Sequence, residues 1–123
     1  MTEIRPSTVY KILEAAAWRA AVASGRYDGS ADDARDGFIH LSTAAQLAGT
    51  AERHFRGQTD LVLVALDAVS LGAALKWEPS RGGALFPHLY GPLDVSAALS
   101  VVPMPLDQRG VPVIPPSMPG APT

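Results

Sequence analysis

Two short segments each place a histidine inside an apolar, glycine-bounded stretch. They are Gly37–Ser42, which contains His40, and Phe86–Gly91, which contains His88. In each, a hydroxyl-bearing residue, Ser42 or Tyr90, follows the histidine by two positions. Alternate residues of a strand share a face, so each histidine and its hydroxyl neighbour would point the same way. Two such pairs in one cleft would form a polar site within an apolar shell, which is typical of a small-molecule pocket.

Two charged residues on predicted strands add to this chemistry. Glu78 follows Trp77 at the end of a short strand, just before a glycine-containing loop. A carboxylate there would accept a hydrogen bond from a ribose hydroxyl or stabilise an oxocarbenium-like transition state. The alternative is an exposed glutamate beside Lys76. Lys11 in the first strand also has two interpretations. It would either contact a phosphate or point to solvent.

Ser42 has two interpretations, as a nucleophile or as a helix cap. A hydrolase would use it with a nearby histidine as base. The Gly-x-Ser-x-Gly elbow is missing, and Ser42 lies where a helix N-cap is expected, so we favour the capping role. The histidines, His54 included, are widely separated in sequence, and we expect no metal site.

The composition limits the class of protein. A chain of 123 residues with 47% hydrophobic and 18% charged residues is expected to form one globular domain. Its net charge of −2 argues against general nucleic-acid or anionic-membrane binding. The absence of cysteine excludes disulfides and thiolate chemistry. No signal peptide is recognisable, and the longest apolar run, Leu61–Leu66, is too short to cross a bilayer, so we expect a cytoplasmic protein.

The first half of the chain predicts a strand and two helices. The residues favour a strand over 9–13 and a helix over 14–24 that ends at Gly25. Residues 26–36 are polar and are predicted to form a loop. A Thr-x-x-Gln capping box at Thr43 then opens a second helix, which would bury Leu47, Ala51 and Phe55. His54 would return to its apolar face, where a backbone carbonyl would satisfy it.

The second half predicts strands and a tail. Strands are expected over 61–66, 75–78 and 97–104, the first of them covered on both faces, and 86–91 is expected to be an extended segment. Seven of the eleven prolines lie between Pro103 and Pro122. We therefore predict a single compact α+β domain over 1–106, with two main helices on a curled, split sheet, and a proline-rich tail over 107–123 that is extended or disordered.

These motifs resemble those of a bacterial family, the domain of unknown function 952. Its members share a Gly-Phe-Ile-His-x-Ser motif, an Arg-x-Phe-x-Gly segment before an aspartate-led apolar strand, a Trp-Glu pair and a Phe-Pro-His-Leu-Tyr-Gly motif. Here they correspond to Gly37–Ser42, Arg53–Gly57 with Asp60–Leu66, Trp77–Glu78 and Phe86–Gly91. The resemblance covers roughly residues 9–105. Lys11 stands where the family usually has a histidine.

The resemblance implies a fold and a ligand. The family is grouped with the ADP-ribosyltransferase superfamily, whose split, curled sheet holds NAD between its two halves. Carried over, Lys11 would take the ribose-binding position on the first strand, where its charge would hold a phosphate. His40 and Ser42 would support the nicotinamide half, and Glu78 would orient the acceptor.

The hypothesis is a protein that binds NAD or a related nucleotide and transfers or hydrolyses ADP-ribose, without a metal. The expected site comprises His40, Glu78 and His88 as catalytic residues and Lys11, Ser42 and Tyr90 as cofactor-binding residues. The alternatives are a non-catalytic module that binds a small metabolite or a protein, and a metal-independent hydrolase that uses Ser42.

Overall fold

Eight strands and four α-helices run through residues 6–115, the part of the chain that the computed structural model describes. The strands are β1 (Thr8–Glu14), β2 (Arg26–Tyr27), β3 (Ile39–His40), β4 (Leu61–Asp67), β5 (Leu75–Pro79), β6 (Leu85–Leu89), β7 (Leu93–Asp94) and β8 (Ala98–Met104). The helices are α1 (Ala15–Ser24), α2 (Ala31–Asp36), α3 (Leu47–His54) and α4 (Ala68–Leu71). No helix in this part of the chain is long and apolar enough to cross a membrane.

Strand β4 is the centre of the main sheet, which has the order β1-β4-β8 with antiparallel neighbours. Its side chains alternate between two apolar cores, because successive residues of a strand point to opposite faces. Val64 and Leu66 enter one core, whereas Leu63 and Ala65 enter the other. All four are fully buried. The prediction of an apolar strand covered on both faces is therefore confirmed.

A second antiparallel sheet has the order β3-β6-β5, and β2 pairs with β7 in a short ribbon. An isolated bridge between Tyr10 and Ser42 joins the second sheet to β1 of the main sheet. The domain is therefore mixed α and β with antiparallel sheets, as expected. Beyond this bridge the two sheets separate and have no strand in common. This split positions the candidate site.

Residues 26–36 differ from the predicted loop. They contain β2 and α2, and Ser30 caps α2 by accepting a hydrogen bond from the Asp33 backbone N–H. The Asp33 carboxylate accepts one from the Ser30 N–H in return. This is a capping box in which Asp replaces the usual Glu or Gln. Gly37, with a left-handed φ of 87°, ends the helix.

The second predicted helix is confirmed, with one error. Thr43 and Gln46 form the expected capping box at a 3₁₀ turn over Ala44–Gln46, and α3 follows. Leu47 and Ala51 are buried as predicted. His54 is exposed rather than buried, because α3 ends there and the next residue, Phe55, takes the half-buried place against the core.

The predicted tail is not wholly unpacked. Val111 is buried in the second core, Leu106 forms a bridge with Pro112, and the Gly57 N–H donates to the Gly110 carbonyl. Residues up to 115 therefore continue the domain beyond the predicted boundary at 106. Residues 116–123 lie outside the described part of the chain.

Candidate functional site

A cavity of about 500 Å³ opens where β1 and β3 separate. Tyr10 and Ser42 exchange two backbone hydrogen bonds of 2.8 and 2.9 Å, and beyond this bridge the two strands have different partners. The cavity is lined by β1, β3, β6, α2 and α3, together with Ser80. Its volume lies within the range of small-molecule pockets, about 300–1,000 Å³.

Strand alternation places both motif histidines in this cavity. Ile39, Leu41 and Leu89 are buried in the first core. The residues between and beside them point the other way, and His40, Ser42 and His88 line the cavity. His40 and His88 are direct partners in the β3–β6 register, and their ring centroids are 5.8 Å apart. The histidines of the two motifs therefore lie in one cavity.

Lys11 forms a buried ion pair at the edge of the cavity. Its Nζ lies 3.0 Å from Oδ2 of Asp33 and donates to the His40 carbonyl at 3.1 Å. The Lys11 side chain is only 7% exposed. Burial lowers the pKa of Lys11, and the carboxylate of Asp33 opposes that shift. The lysine charge is therefore already compensated within the protein, and Lys11 has neither a solvent position nor an uncompensated charge for a phosphate.

Asp33 is the centre of this polar network. Its carboxylate also accepts hydrogen bonds from the backbone N–H of His40 at 3.1 Å and of Ser30 at 2.8 Å. Burial alone would raise the pKa of Asp33, but the bond from the His40 ring, the charge of Lys11 and the two backbone donors outweigh burial and hold the pKa well below its usual range. Asp33 is therefore an ionised acceptor that joins α2, β1 and β3.

The ring of His40 lies between two carboxylates. Its Nδ1 is 2.7 Å from Oδ1 of Asp33, and its Nε2 is 2.9 Å from Oδ2 of Asp36. Both edges of the His40 ring thus lie against carboxylates of α2.

His88 has a different environment. Its Nδ1 lies 2.9 Å from Oε1 of Glu78, and Tyr90 donates its hydroxyl to the same oxygen at 2.7 Å. These bonds, that from Tyr90 first, lower the pKa of Glu78, while the carboxylate raises the pKa of Tyr90. Phe38 stacks on His88 with 4.0 Å between the ring centroids. Glu78 and Tyr90 are not among the residues that line the cavity, so they reach it through His88.

Ser42 does not cap the helix, and its hydroxyl pairs with another hydroxyl. The N-cap position belongs to Thr43, one residue later, so the favoured capping role is wrong. The Ser42 hydroxyl instead lies 3.1 Å from the Thr50 hydroxyl on α3, where either oxygen can donate. In a nucleophile pair a base such as histidine would stand at this distance from the serine, whereas here the partner is a second hydroxyl. Ser42 therefore contributes a polar wall to the cavity.

Several cavity residues were missed in the sequence, among them Asp33, Arg53 and Tyr10. Asp33 lay in the predicted loop, although the Ser-x-x-Asp spacing after Gly29 is a signal for the start of a helix. Arg53 is exposed on α3 and lines the cavity, where it brings positive charge to the rim. Tyr10 lines the cavity too, and its buried hydroxyl has no hydrogen-bond partner within residues 6–115. In the same residues no group of three or more His, Asp or Glu side chains is arranged to hold a metal ion.

The fold and site define a small α+β domain with a polar cleft between two antiparallel sheets. The family model described as "Protein of unknown function (DUF952)" matches residues 12–101, and the chain belongs to this family. The crystal structure of protein CC0527 from Caulobacter crescentus is 56% identical, with a TM-score of 0.84 over 86% of this chain and 93% of that one. Its solution NMR structure gives a TM-score of 0.77 over 86% and 91%. No curated protein matches the chain.

Proposed function

We propose that the cleft binds NAD or a related nucleotide and cleaves its N-glycosidic bond, so that ADP-ribose is hydrolysed or transferred. The observation that carries this proposal is the convergence of His40 and His88, 5.8 Å apart, in one cavity at the split between two sheets. A split antiparallel sheet with a cleft between its halves also supports the expected relationship to ADP-ribosyltransferases.

The chemistry of the cavity suits a ligand with an anionic end and a polar, hydroxyl-rich middle. Arg53 brings a guanidinium to the rim, and such a group binds phosphate oxygens in pairs. The hydroxyls of Ser42 and Thr50 lie together on the wall, within reach of sugar hydroxyls. Half-apolar walls that include Phe86 accommodate a planar ring.

Two roles change from those that the resemblance implies. Lys11 is held by Asp33, so we assign the phosphate contact to Arg53 instead. Glu78 lies behind His88, so we assign it to the orientation of His88 rather than to direct contact with the acceptor. The nucleotide proposal requires neither residue to touch the ligand.

A non-catalytic binding module is the second candidate. It is favoured by the Lys11–Asp33–His40 network, because the charges of Lys11 and Asp33 compensate each other and the Asp33 carboxylate also holds the His40 ring. Such a site would still hold a small metabolite through Arg53 and His88. It would differ from the leading proposal in that it binds without turnover.

The two candidates are separated by NMR titration and a turnover assay. We expect NAD and ADP-ribose to shift backbone signals of the cavity residues, and NAD to release nicotinamide. Arg53→Gln, an exposed change that should leave the fold intact, is expected to weaken binding by about 10-fold, the worth of one charge-assisted hydrogen bond. Val69→Ala, on the 80% exposed Val69 of α4, is the matched control and should change nothing.

The outcomes have different meanings. Binding without nicotinamide release would support the binding module. No shift with either nucleotide at millimolar concentration would refute the nucleotide proposal, and the same signals would then be followed with nicotinamide alone. Equal weakening by Arg53→Gln and Val69→Ala would remove Arg53 from the site.

A further inference from the structure

We infer that His88, and not His40, accepts the proton in the cleft, and that Glu78 and Tyr90 position His88 for this task. The substrate in this inference rests on the proposed function, but the contacts and tautomers of the two histidine rings do not. The argument starts from what each of the four ring nitrogens contacts.

Both ring nitrogens of His40 lie against carboxylates of α2. Nδ1 is hydrogen-bonded to Oδ1 of Asp33 at 2.7 Å, and Nε2 lies 2.9 Å from Oδ2 of Asp36. A base needs an unprotonated nitrogen that faces the proton it removes. The His40 ring would have to break a contact to α2 to provide one. His40 is therefore a link between β3 and α2.

His88 has one nitrogen held and one open. The Glu78 carboxylate only accepts hydrogen bonds, so Nδ1 of His88 must carry the hydrogen in their 2.9 Å contact. In the neutral ring the lone pair is then on Nε2, at the opposite edge from Glu78. Within residues 6–115 the hydrogen bond found for the His88 ring is the one made by Nδ1. The ring also lines the cavity.

The surroundings of His88 fix its ring as a base requires. The residue is 5% exposed, and Phe38 stacks on one face at an angle of 22° between the rings. The Tyr90 hydroxyl anchors the same Oε1 atom of Glu78 that Nδ1 contacts, so the carboxylate cannot turn away freely. A carboxylate behind the ring also stabilises the imidazolium that forms when the base takes a proton.

The step that these contacts allow is balanced. Nε2 of His88 removes a proton from a water molecule or from the hydroxyl of an acceptor. The freed oxygen forms a bond to the anomeric carbon, and the bond from that carbon to the ring nitrogen of the leaving group breaks. The electron pair of the broken bond stays on the leaving nitrogen. A group that is bound as a pyridinium therefore leaves as the neutral pyridine and needs no acid. The imidazolium later releases its proton to solvent.

The test measures the tautomer of each histidine by long-range ¹H–¹⁵N NMR on the free protein. We expect the neutral His88 ring to carry its hydrogen on Nδ1. In Glu78→Ala the acceptor is lost, and the hydrogen should move mainly to Nε2. Tyr90→Phe is the matched control, because it removes the second bond to Glu78 but leaves the acceptor, so the tautomer should be retained. A wild-type His88 with its hydrogen on Nε2 would overturn the inference.

Kinetics provide the second measurement wherever nicotinamide release is detected. His88→Gln and Glu78→Ala are expected to lower kcat by about 100-fold or more, the usual worth of a general base, with KM changed little. A variant whose KM rises as much as its kcat falls, or a variant that keeps full kcat, would contradict the assignment. If no nucleotide binds, the proposed function fails, and the tautomer measurement still decides the state of His88.

Discussion

Lys11 and Asp33 form a buried ion pair, with 3.0 Å between Nζ and Oδ2, at the point where the two sheets separate. The pair joins β1 to α2 across a gap that the backbone bridge at Tyr10 and Ser42 does not close. Because the lysine also donates to the His40 carbonyl, one ammonium group connects three elements around the cavity. This makes the pair a structural part of the site.

Asp33→Asn is expected to lower the free energy of unfolding by about 3–5 kcal/mol, since it leaves the buried ammonium of Lys11 without its counter-charge. Lys11→Met should cost a similar amount, and the double variant should cost clearly less than the sum. Urea unfolding of all four proteins measures this coupling. Asp32→Asn is the control: its pair with Arg35 is exposed, so the change should stay within about 1 kcal/mol. Additive costs would show that Lys11 and Asp33 do not act as a pair.

The same carboxylate predicts how stability depends on pH. The pKa of Asp33 is lower in the folded protein than its usual value near 3.9, despite burial, because of the bonds from His40 and Lys11. As the pH falls below about 4, the unfolded chain binds this proton first, and the stabilisation from Asp33 is lost progressively. The free energy of unfolding of the wild type should therefore fall more steeply with acid than that of Asp33→Asn. Parallel curves, measured by urea unfolding between pH 5 and 2, would contradict the assignment.

Local patterns in the sequence were sufficient for most of the strands and for the faces of the two histidine motifs. The apolar run over 61–66 predicted β4 correctly because the strand is buried on both faces and needs no polar side. The alternation in Gly37–Ser42 predicted that His40 and Ser42 share a face, which the cavity shows. These features depend on near neighbours in the chain, so they can be read from it.

The contacts that define the site depend on distant pairs, and these were not predicted. Helix α2 was taken for a loop because most of its six residues are polar, and the partner of the buried Asp33 carboxylate, Lys11, lies 22 positions earlier in the chain. Glu78 was assigned to the acceptor, whereas the β5–β6 register sets it behind His88. A one-residue shift of that register would move Glu78 to the other face, and nothing local in the sequence fixes it.

Tyr10→Phe is expected to leave the protein as stable as the wild type or slightly more stable, by up to about 1 kcal/mol. The Tyr10 hydroxyl is buried without a partner within residues 6–115, and its removal relieves the cost of burying it. If the wall of the cavity adjusts around a bound ligand so that this hydroxyl is used, the same variant should bind more weakly. Thermal unfolding with and without nucleotide measures both effects. A loss of stability of 2 kcal/mol or more in the free protein would show that the hydroxyl has a partner.

The variant Ser42→Ala distinguishes two roles for Ser42, a polar residue of the cavity wall and the nucleophile of a hydrolase. The Ser42 and Thr50 hydroxyls lie 3.1 Å apart, so the variant should cost about 1 kcal/mol through the lost hydrogen bond. Thr50→Val removes the same bond from the other side and should cost a similar amount, and the double variant should cost less than the sum. Turnover, where it is detected, should fall by less than about 10-fold, whereas loss of a true nucleophile costs several powers of ten. Complete loss of turnover in a folded Ser42→Ala protein that still binds nucleotide would establish Ser42 as the nucleophile and exclude direct attack by water.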